Sequence, residues 1–311
     1  MPDPSTTPSP GLRLGTRRSP LAMAQALEAR ARLCAAHGWG EDAVDIVPVT
    51  ASGDKVQDRP LADIGGKALW TKELDQWLHE GEIDFAVHSL KDVETLRPDW
   101  LTIAAVLPRE DVRDALVGAP SIASLKPGAR VGTSAPRRAA QLLHLRPDCR
   151  VVPFRGNVNT RLGKLAAGEV DATLLACAGL HRLEMHDTGH PLDPGDWLPA
   201  PAQGAIAIEC RTSNDATRNL LSAIDHAPSR AAVTAERALL AALGGNCHSA
   251  IAVLTTHEAD RIRLQAALFS ADGSDRVAGE AWLAPGETPA DLAADLLDRA
   301  PDSIRTLFTP G

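Results

Sequence analysis

Short apolar runs alternate with amphipathic segments over the first part of the chain. The apolar runs predict four strands, at Leu12–Leu14, Val44–Val49, Ile83–Val87 and Leu101–Leu107. The segments between them predict helices at Leu21–Ala36 and Thr71–Glu80, the first with Ser19 as its N-cap and Pro20 in its first turn. This β-α-β-α-β order is typical of a mostly parallel sheet with helices on its faces.

The same alternation restarts near residue 129. It predicts three further strands, at Ala129–Gly132, Val151–Phe154 and Ala172–Ala176, with helices between them at Ala135–Leu145 and Val158–Ala167. We interpret this part as a second α/β domain, and the apolar run Ala205–Cys210 as a strand that returns to the first. Two such lobes joined by crossing segments predict a ligand cleft between them.

The pattern changes from about Ser229 onward. An alanine-rich helix is predicted first, then three strands and a closing helix, at Arg230–Leu243, Ala250–Leu254, Arg261–Leu268, Val277–Leu283 and Thr288–Arg299. We therefore expect an α/β protein with two α/β domains and a small C-terminal α+β domain. The expected bounds are a disordered tail at 1–11, domain 1 at 12–108 and 203–224, domain 2 at 109–202 and domain 3 at 225–311.

Composition narrows the class of protein. The 311 residues carry a net charge of −8, which argues against general affinity for nucleic acid. The five cysteines are scattered, odd in number and without a CxxC pair, which favours a reducing compartment. No apolar run approaches the length that spans a bilayer, and the start MPDPSTTPSPG is unlike a signal peptide. We therefore expect a cytoplasmic location and no membrane partner.

Four arginines follow short apolar runs, where a strand would pass into a helix. They lie in the segments VGTSAPRR and VVPFRGNVNTR and are Arg137, Arg138, Arg155 and Arg161. Loops at the carboxyl ends of strands line the ligand crevice of α/β domains, and guanidinium groups bind carboxylates through paired hydrogen bonds. The repeated context favours a cleft for a ligand with several carboxylates over the alternative of four solvated arginines.

Asp92 and Cys247 are the candidates for covalent and proton chemistry. Asp92 follows the apolar run DFAVHS and has Lys91 as its neighbour, so its carboxylate is expected at the end of a strand, where it can exchange protons with a substrate nitrogen. A surface ion pair is the alternative. Cys247 follows a glycine pair in LGGNCHSAIA, a turn suited to presenting a thiol. A buried structural cysteine is the alternative.

Three histidines and one glycine-rich segment give only weak evidence for a binding site. His181, His186 and His190 are close in sequence but share no helical frame, so no zinc site is expected. The segment Gly65-Gly66-Lys67 is able to cradle an anion but lacks the GxxxxGK[ST] spacing of a phosphate-binding loop.

Taken together, the motifs resemble those of the porphobilinogen deaminase family of tetrapyrrole biosynthesis. The matching segments include GTRRSPLAMAQA, DIGGKALWTKELD, DFAVHSLKDV, REDVRDAL, VGTSAPRRAAQL, FRGNVNTRLGKL, AGLHRL, PAQGAIAIEC and TAERALLAALGGNCHSAIA. They follow the family order from about Leu12 to Ile251. The resemblance implies three domains, the first two like periplasmic solute-binding lobes, and a monomeric transferase of porphyrin and heme biosynthesis.

The resemblance also implies a covalent dipyrromethane cofactor and a role for each matched residue. Cys247 is then the thioether attachment point and Asp92 the catalytic carboxylate, while the substrate is porphobilinogen. The implied cofactor-binding residues are Lys91, Ser134, Arg137, Arg138, Arg155, Arg161 and Arg182. The implied substrate-binding residues are Arg17, Ser19, Lys67, Arg155 and Arg182.

Some positions depart from the family pattern. Ala135 and Pro136 stand where many relatives carry a serine and then a leucine, which removes a hydrogen bond that the serine would offer the cofactor. The other departures are Glu94 in place of a common proline after KDV, Trp70 in place of a phenylalanine, and Pro201-Ala202 in place of a valine–glycine pair.

Two alternatives belong to other classes. A non-enzymatic binding protein for a small anion shares the two-lobe build, but it does not explain a third domain with Cys247. A regulatory ligand-binding module is the second alternative, but no DNA-binding segment accompanies the lobes.

Overall fold

The computed structural model describes residues 11–49, 71–246 and 248–308. These residues form two compact units. The first contains 11–49, 71–110 and 205–230, and the second contains 111–204 and 231–308 apart from 247. The expected tail at 1–11 lies almost wholly outside the described residues. The three-domain division stays a prediction, because the second unit holds both the second α/β sheet and the C-terminal strands.

The first unit is built on a five-stranded sheet. Its strands are β1 (Leu12–Arg17), β2 (Val44–Val49), β3 (Phe85–Ser89), β4 (Leu101–Val106) and β10 (Ile206–Arg211). Their order is β2-β1-β3-β10-β4, with β1 parallel to both neighbours and β10 antiparallel to both of its own. The expected return of the chain at Ala205–Cys210 is therefore confirmed as a central strand of this sheet.

Three helices of the described residues pack on this sheet. They are Pro20–His37, Lys72–Glu80 and Asp215–Leu221. The first begins where the Ser19 Oγ accepts the N–H of Ala22 and ends at Gly38, which has the left-handed φ of 67°. Both ends match the prediction, because the N-cap serine and the C-terminal glycine are strong local signals.

The second unit repeats this topology with other strands. They are β5 (Asp114–Val117), β6 (Arg130–Gly132), β7 (Arg150–Val152), β8 (Ala172–Ala176) and β9 (His190–Pro191), in the order β7-β6-β8-β5-β9. Again three strands are parallel, and the fourth, β5, is antiparallel to both neighbours. The helices are Pro136–Leu145, Val158–Ala166 and Cys177–Arg182. The strand β5 was not predicted.

The C-terminal part of the second unit is a three-stranded antiparallel sheet with helices. The strands are β11 (Ile251–Glu258), β12 (Arg261–Phe269) and β13 (Arg276–Leu283). The helices are Ala290–Arg299, Asp302–Arg305 and, from residue 231 onward, Ala227–Ala242. Leu239, Leu264 and Leu296 are fully buried in their common core. The α/β class with a small C-terminal sheet is therefore confirmed.

Candidate functional site

Asp92 lies at the carboxyl end of β3, as predicted. The strand is buried along Phe85–His88 and passes into a short 3-10 helix, Leu90–Asp92. The backbone N–H of Leu90 donates to the carbonyl oxygen of Ala205, 3.0 Å away, which holds the start of this turn against the chain just before β10. The half-buried Asp92 therefore occupies a fixed turn at the edge of the sheet.

An open depression adjoins Asp92 within the first unit. The predicted residues Arg17 and Ser19 line it together with Asp92, because β1 and β3 are parallel neighbours and end at the same edge of the sheet. Its wall also contains Gln25 and Ser89, whose side chains are hydrogen-bonded at 2.8 Å. Among the described residues, its lining thus combines the carboxylate of Asp92 and the guanidinium group of Arg17 with several other polar side chains.

A second group of predicted residues lies in the second unit, at the carboxyl ends of β6 and β7. The Oγ of Ser134 accepts the backbone N–H of Phe154 at 2.8 Å, which ties the two loops together. Arg155 follows directly and is 8% exposed, and the Nε of Arg161 donates to the carbonyl oxygen of Gly156 at 3.0 Å. Ser134, Arg155 and Arg161 are thereby brought into one loop cluster.

Arg137 and Arg138 are buried rather than solvated. Both bind the carboxylate of Asp114, with N–O distances of 2.8 Å and 2.6 Å, and each also donates to a backbone carbonyl oxygen. The same carboxylate accepts from the Nε1 of Trp197 at 2.8 Å and from the Nε2 of Gln203 at 2.9 Å. Sequence reasoning assigned these arginines to a ligand alone and missed this internal carboxylate.

The charge state of Asp114 follows from this network. Complete burial favours the neutral acid, but the two guanidinium groups and the donors around the carboxylate outweigh it. The pKa of Asp114 is therefore held far below its ordinary value. Burial also lowers the pKa of Arg137, against the opposing effect of Asp114.

The donors in the second unit suit a cofactor that carries several carboxylates. The Nε of Arg138 is buried and has no hydrogen-bond partner within the described residues, so it is a donor that a carboxylate can satisfy. Arg182, also predicted, is half-buried and donates to the carbonyl oxygen of Gly204 at 3.1 Å. The observed donors therefore fit the dipyrromethane expected from the sequence.

For several predicted residues, the structure gives no distance or contact that helps to define the site. Cys247, Lys67 and Trp70 lie outside the described residues. Lys91, beside Asp92, is half-buried, and Ala135 is the N-cap of the helix Pro136–Leu145 without a side-chain hydrogen bond. Within the described ranges no cluster of metal ligands occurs and no helix is long and apolar enough to cross a membrane.

Comparison with known proteins gives two family matches. Residues 12–219 match the model described as "Porphobilinogen deaminase, dipyromethane cofactor binding domain", and residues 230–299 match "Porphobilinogen deaminase, C-terminal domain". A porphobilinogen deaminase of Sphingopyxis alaskensis is 58% identical, over 97% of this chain and 98% of its own length. One of Paracoccus denitrificans is 49% identical, over 97% of both chains.

Two solved structures with lower sequence identity also resemble this chain. The periplasmic VFT2 domain of BvgS from Bordetella pertussis is 16% identical with a TM-score of 0.39, over 72% of this chain and 92% of its own. A TRAP periplasmic solute binding protein from Desulfovibrio salexigens is 11% identical with a TM-score of 0.42, over 72% and 75%.

Proposed function

Since the chain belongs to the porphobilinogen deaminase family, we propose that Asp92 is the carboxylate that carries its proton chemistry. The protein is a transferase, hydroxymethylbilane synthase. It joins four porphobilinogen molecules head to tail on a covalent dipyrromethane primer. One ammonia leaves at each step, and water releases hydroxymethylbilane at the end. The pathway is that of porphyrin and heme.

The position of Asp92 supports its role. Loss of ammonia requires a proton on the leaving nitrogen, and it leaves positive charge on the pyrrole that remains. A carboxyl group can supply that proton, and the resulting carboxylate stabilises the cation. After the carbon–carbon bond forms, the same carboxylate can remove the proton from the α-carbon that was attacked. Asp92 lines a depression with Arg17 and Ser19, where a substrate carboxylate finds a cation near the acid.

The guanidinium groups of the second unit are proposed to hold carboxylates. Each pyrrole unit brings an acetate and a propionate group, so the growing chain is a polyanion. Arg155 and Arg161 lie in one loop cluster with Ser134. The Nε of Arg138 has no hydrogen-bond partner among the described residues. When bound through Cys247, the cofactor supplies the pyrrole carbon to which the first unit is joined.

The other predicted residues complete this assignment. Arg137, Arg138, Arg155, Arg161, Arg182, Lys91 and Ser134 are proposed to hold the cofactor. Arg17, Ser19, Lys67, Arg155 and Arg182 are proposed to hold substrate. For Arg137 and Arg138 the proposal includes the internal bond to Asp114, which fixes both guanidinium groups before any ligand arrives.

We further propose a cytoplasmic monomer. The four cysteines of the described residues are all free and buried, which is consistent with a reducing compartment. Size-exclusion chromatography with light scattering tests the monomer. A mass near twice 32.8 kDa would contradict it.

Replacement of the proposed acid tests the function. An amide neither exchanges the proton nor offsets the cation, so Asp92→Asn should lower the rate of hydroxymethylbilane formation about 100- to 1000-fold. The matched control is Asp99→Asn, an exposed carboxylate on the same segment, which should keep normal turnover. Near-normal turnover by Asp92→Asn, in protein with intact cofactor, would show that Asp92 is not the catalytic group.

A further inference from the structure

The guanidinium group of Arg97 binds three carboxylates in the first unit. It makes a bidentate pair with Asp75, at 2.6 and 3.1 Å, and a second with Glu209, at 3.0 Å for both bonds. Its Nη1 also donates to Glu94 at 2.8 Å. We call Arg97 with these three carboxylates the Arg97 clamp. It joins the helix Lys72–Glu80 and the strand β10 to the segment that follows Asp92.

The clamp is mostly removed from water, so its contacts are stronger than those of a surface ion pair. The side chain of Glu209 has no exposed area and that of Arg97 is 9% exposed. Burial favours neutral Glu209, but hydrogen bonds and charge from His88 and Arg97 outweigh it and lower its pKa to about 2. Asp75, Glu94 and Glu209 all bind the planar, fork-shaped guanidinium group of Arg97, whose geometry lysine does not reproduce.

The clamp reaches Asp92 through Glu94. Val93 alone separates these two residues, and its buried side chain lines the same depression as Asp92. Glu94 accepts from Arg97 and also from the Oγ1 of Thr71 at 3.0 Å. On the other side, Leu90 is tied to Ala205. Asp92 is thus held between two anchors, each two residues away.

Glu94 is one of the positions where this chain departs from its relatives. The resemblance set out above places a proline there in many family members. A proline restricts the residue before it to extended backbone. Val93 has such a conformation, with φ of −88° and ψ of 136°. The backbone expected before a proline is therefore present in this chain, where Glu94 and Arg97 are available to hold it.

We propose that Arg97 is a positioning residue for the reaction, and that it fixes Asp92 through Glu94 where relatives use a proline ring. This inference rests on the proposed role of Asp92. Arg97 does not line the depression and touches neither Asp92 nor, on this account, the substrate. Its effect is on where the carboxylate lies.

The test is Arg97→Lys, which keeps the charge but loses the two bidentate pairs. A carboxylate displaced by about 1 Å should lower kcat about 100-fold, with KM changed by less than about twofold. The intact mass should still include the cofactor. Hydrogen exchange at the Val93 amide, which donates to the carbonyl oxygen of Leu90, should become faster.

Two further variants separate positioning from general damage. Arg13→Lys weakens a partly buried pair with Asp84 in the same unit, away from the depression, and should leave kcat unchanged. The double variant Arg97→Lys/Glu94→Pro restores the family proline and should regain most of the lost kcat. If Arg97→Lys does not fold, Glu94→Gln, which keeps the size of the side chain, replaces it and should show the same loss, whereas the single variant Glu94→Pro should keep most of the native kcat.

The outcomes distinguish this inference from the function on which it rests. If Asp92→Asn is inactive while Arg97→Lys and Glu94→Gln keep normal kcat, the positioning role is wrong and the function stands. A loss in Arg97→Lys that proline does not restore, or that Arg13→Lys shares, also overturns the positioning role. Normal turnover by Asp92→Asn overturns the proposed function itself.

Discussion

Replacement of Asp114 by asparagine should destabilise the second unit strongly. The carboxylate has no exposed area and accepts four hydrogen bonds, from Arg137, Arg138, Trp197 and Gln203. One oxygen serves Arg137 and Trp197, and the other serves Arg138 and Gln203. An amide keeps one acceptor oxygen, but its NH₂ group then faces two donors. The two guanidinium groups also lose the anion that balances them.

The magnitude follows from the burial of the network. Removing one partner of a buried ion pair costs about 3–5 kcal/mol, and Asp114 is the partner of two buried arginines. Because whole domains are stable by only about 5–15 kcal/mol, the free energy of unfolding should fall by a large fraction in urea titrations. Asp171→Asn, which removes a partly exposed carboxylate bound to Lys126 and Arg130, is the matched control and should change stability less.

The same network predicts a pH dependence. The pKa of Asp114 is lowered in the folded state relative to about 3.9 in the unfolded chain. Its contribution to stability is therefore complete above that value and is lost as the pH falls well below it. As the pH is lowered, the free energy of unfolding should therefore fall more steeply for the native protein than for Asp114→Asn. If Asp114→Asn lowered the free energy of unfolding by less than about 1 kcal/mol at neutral pH, which is the size of an exposed ion pair, this reasoning would be refuted.

Two more predictions concern the helix Val158–Ala166 and the loop before it. Gly163→Ala should raise the free energy of unfolding by about 0.5–1 kcal/mol. Gly163 is exposed within the helix, and an added Cβ meets no atom within 4 Å. A Tm lower than that of the native protein would contradict this prediction. Arg155→Leu should impair cofactor assembly or chain growth, seen by intact mass and by enzyme–intermediate species on native gels. Unaltered assembly and kinetics would place Arg155 outside the site.

Elements with strong local signals could be predicted from the sequence. The helix Pro20–His37 has a serine cap, an N-terminal proline and a C-terminal glycine, and its bounds were predicted to within a residue. The strand β5 was missed because it is four residues long and begins with a buried aspartate. Such a residue indicates a loop unless its tertiary partners are known.

The site was predictable in its residue types more than in their partners. The position of Asp92 at the end of β3 follows from one apolar run before a polar turn. The binding of Arg137 and Arg138 to Asp114 could not be predicted in this way, because Asp114 lies 23 and 24 residues earlier in the chain. Arg97 was likewise not singled out, since its partners come from a helix and from β10. Burial of charge is a tertiary property.

The most direct measurement of the central claim is the intact mass of the purified protein. After expression with ample porphobilinogen, the native chain should be heavier than its sequence by one dipyrromethane, and Cys247→Ser should lack this addition. A native chain with only the mass of its sequence would contradict the account, as would an addition that Cys247→Ser retains.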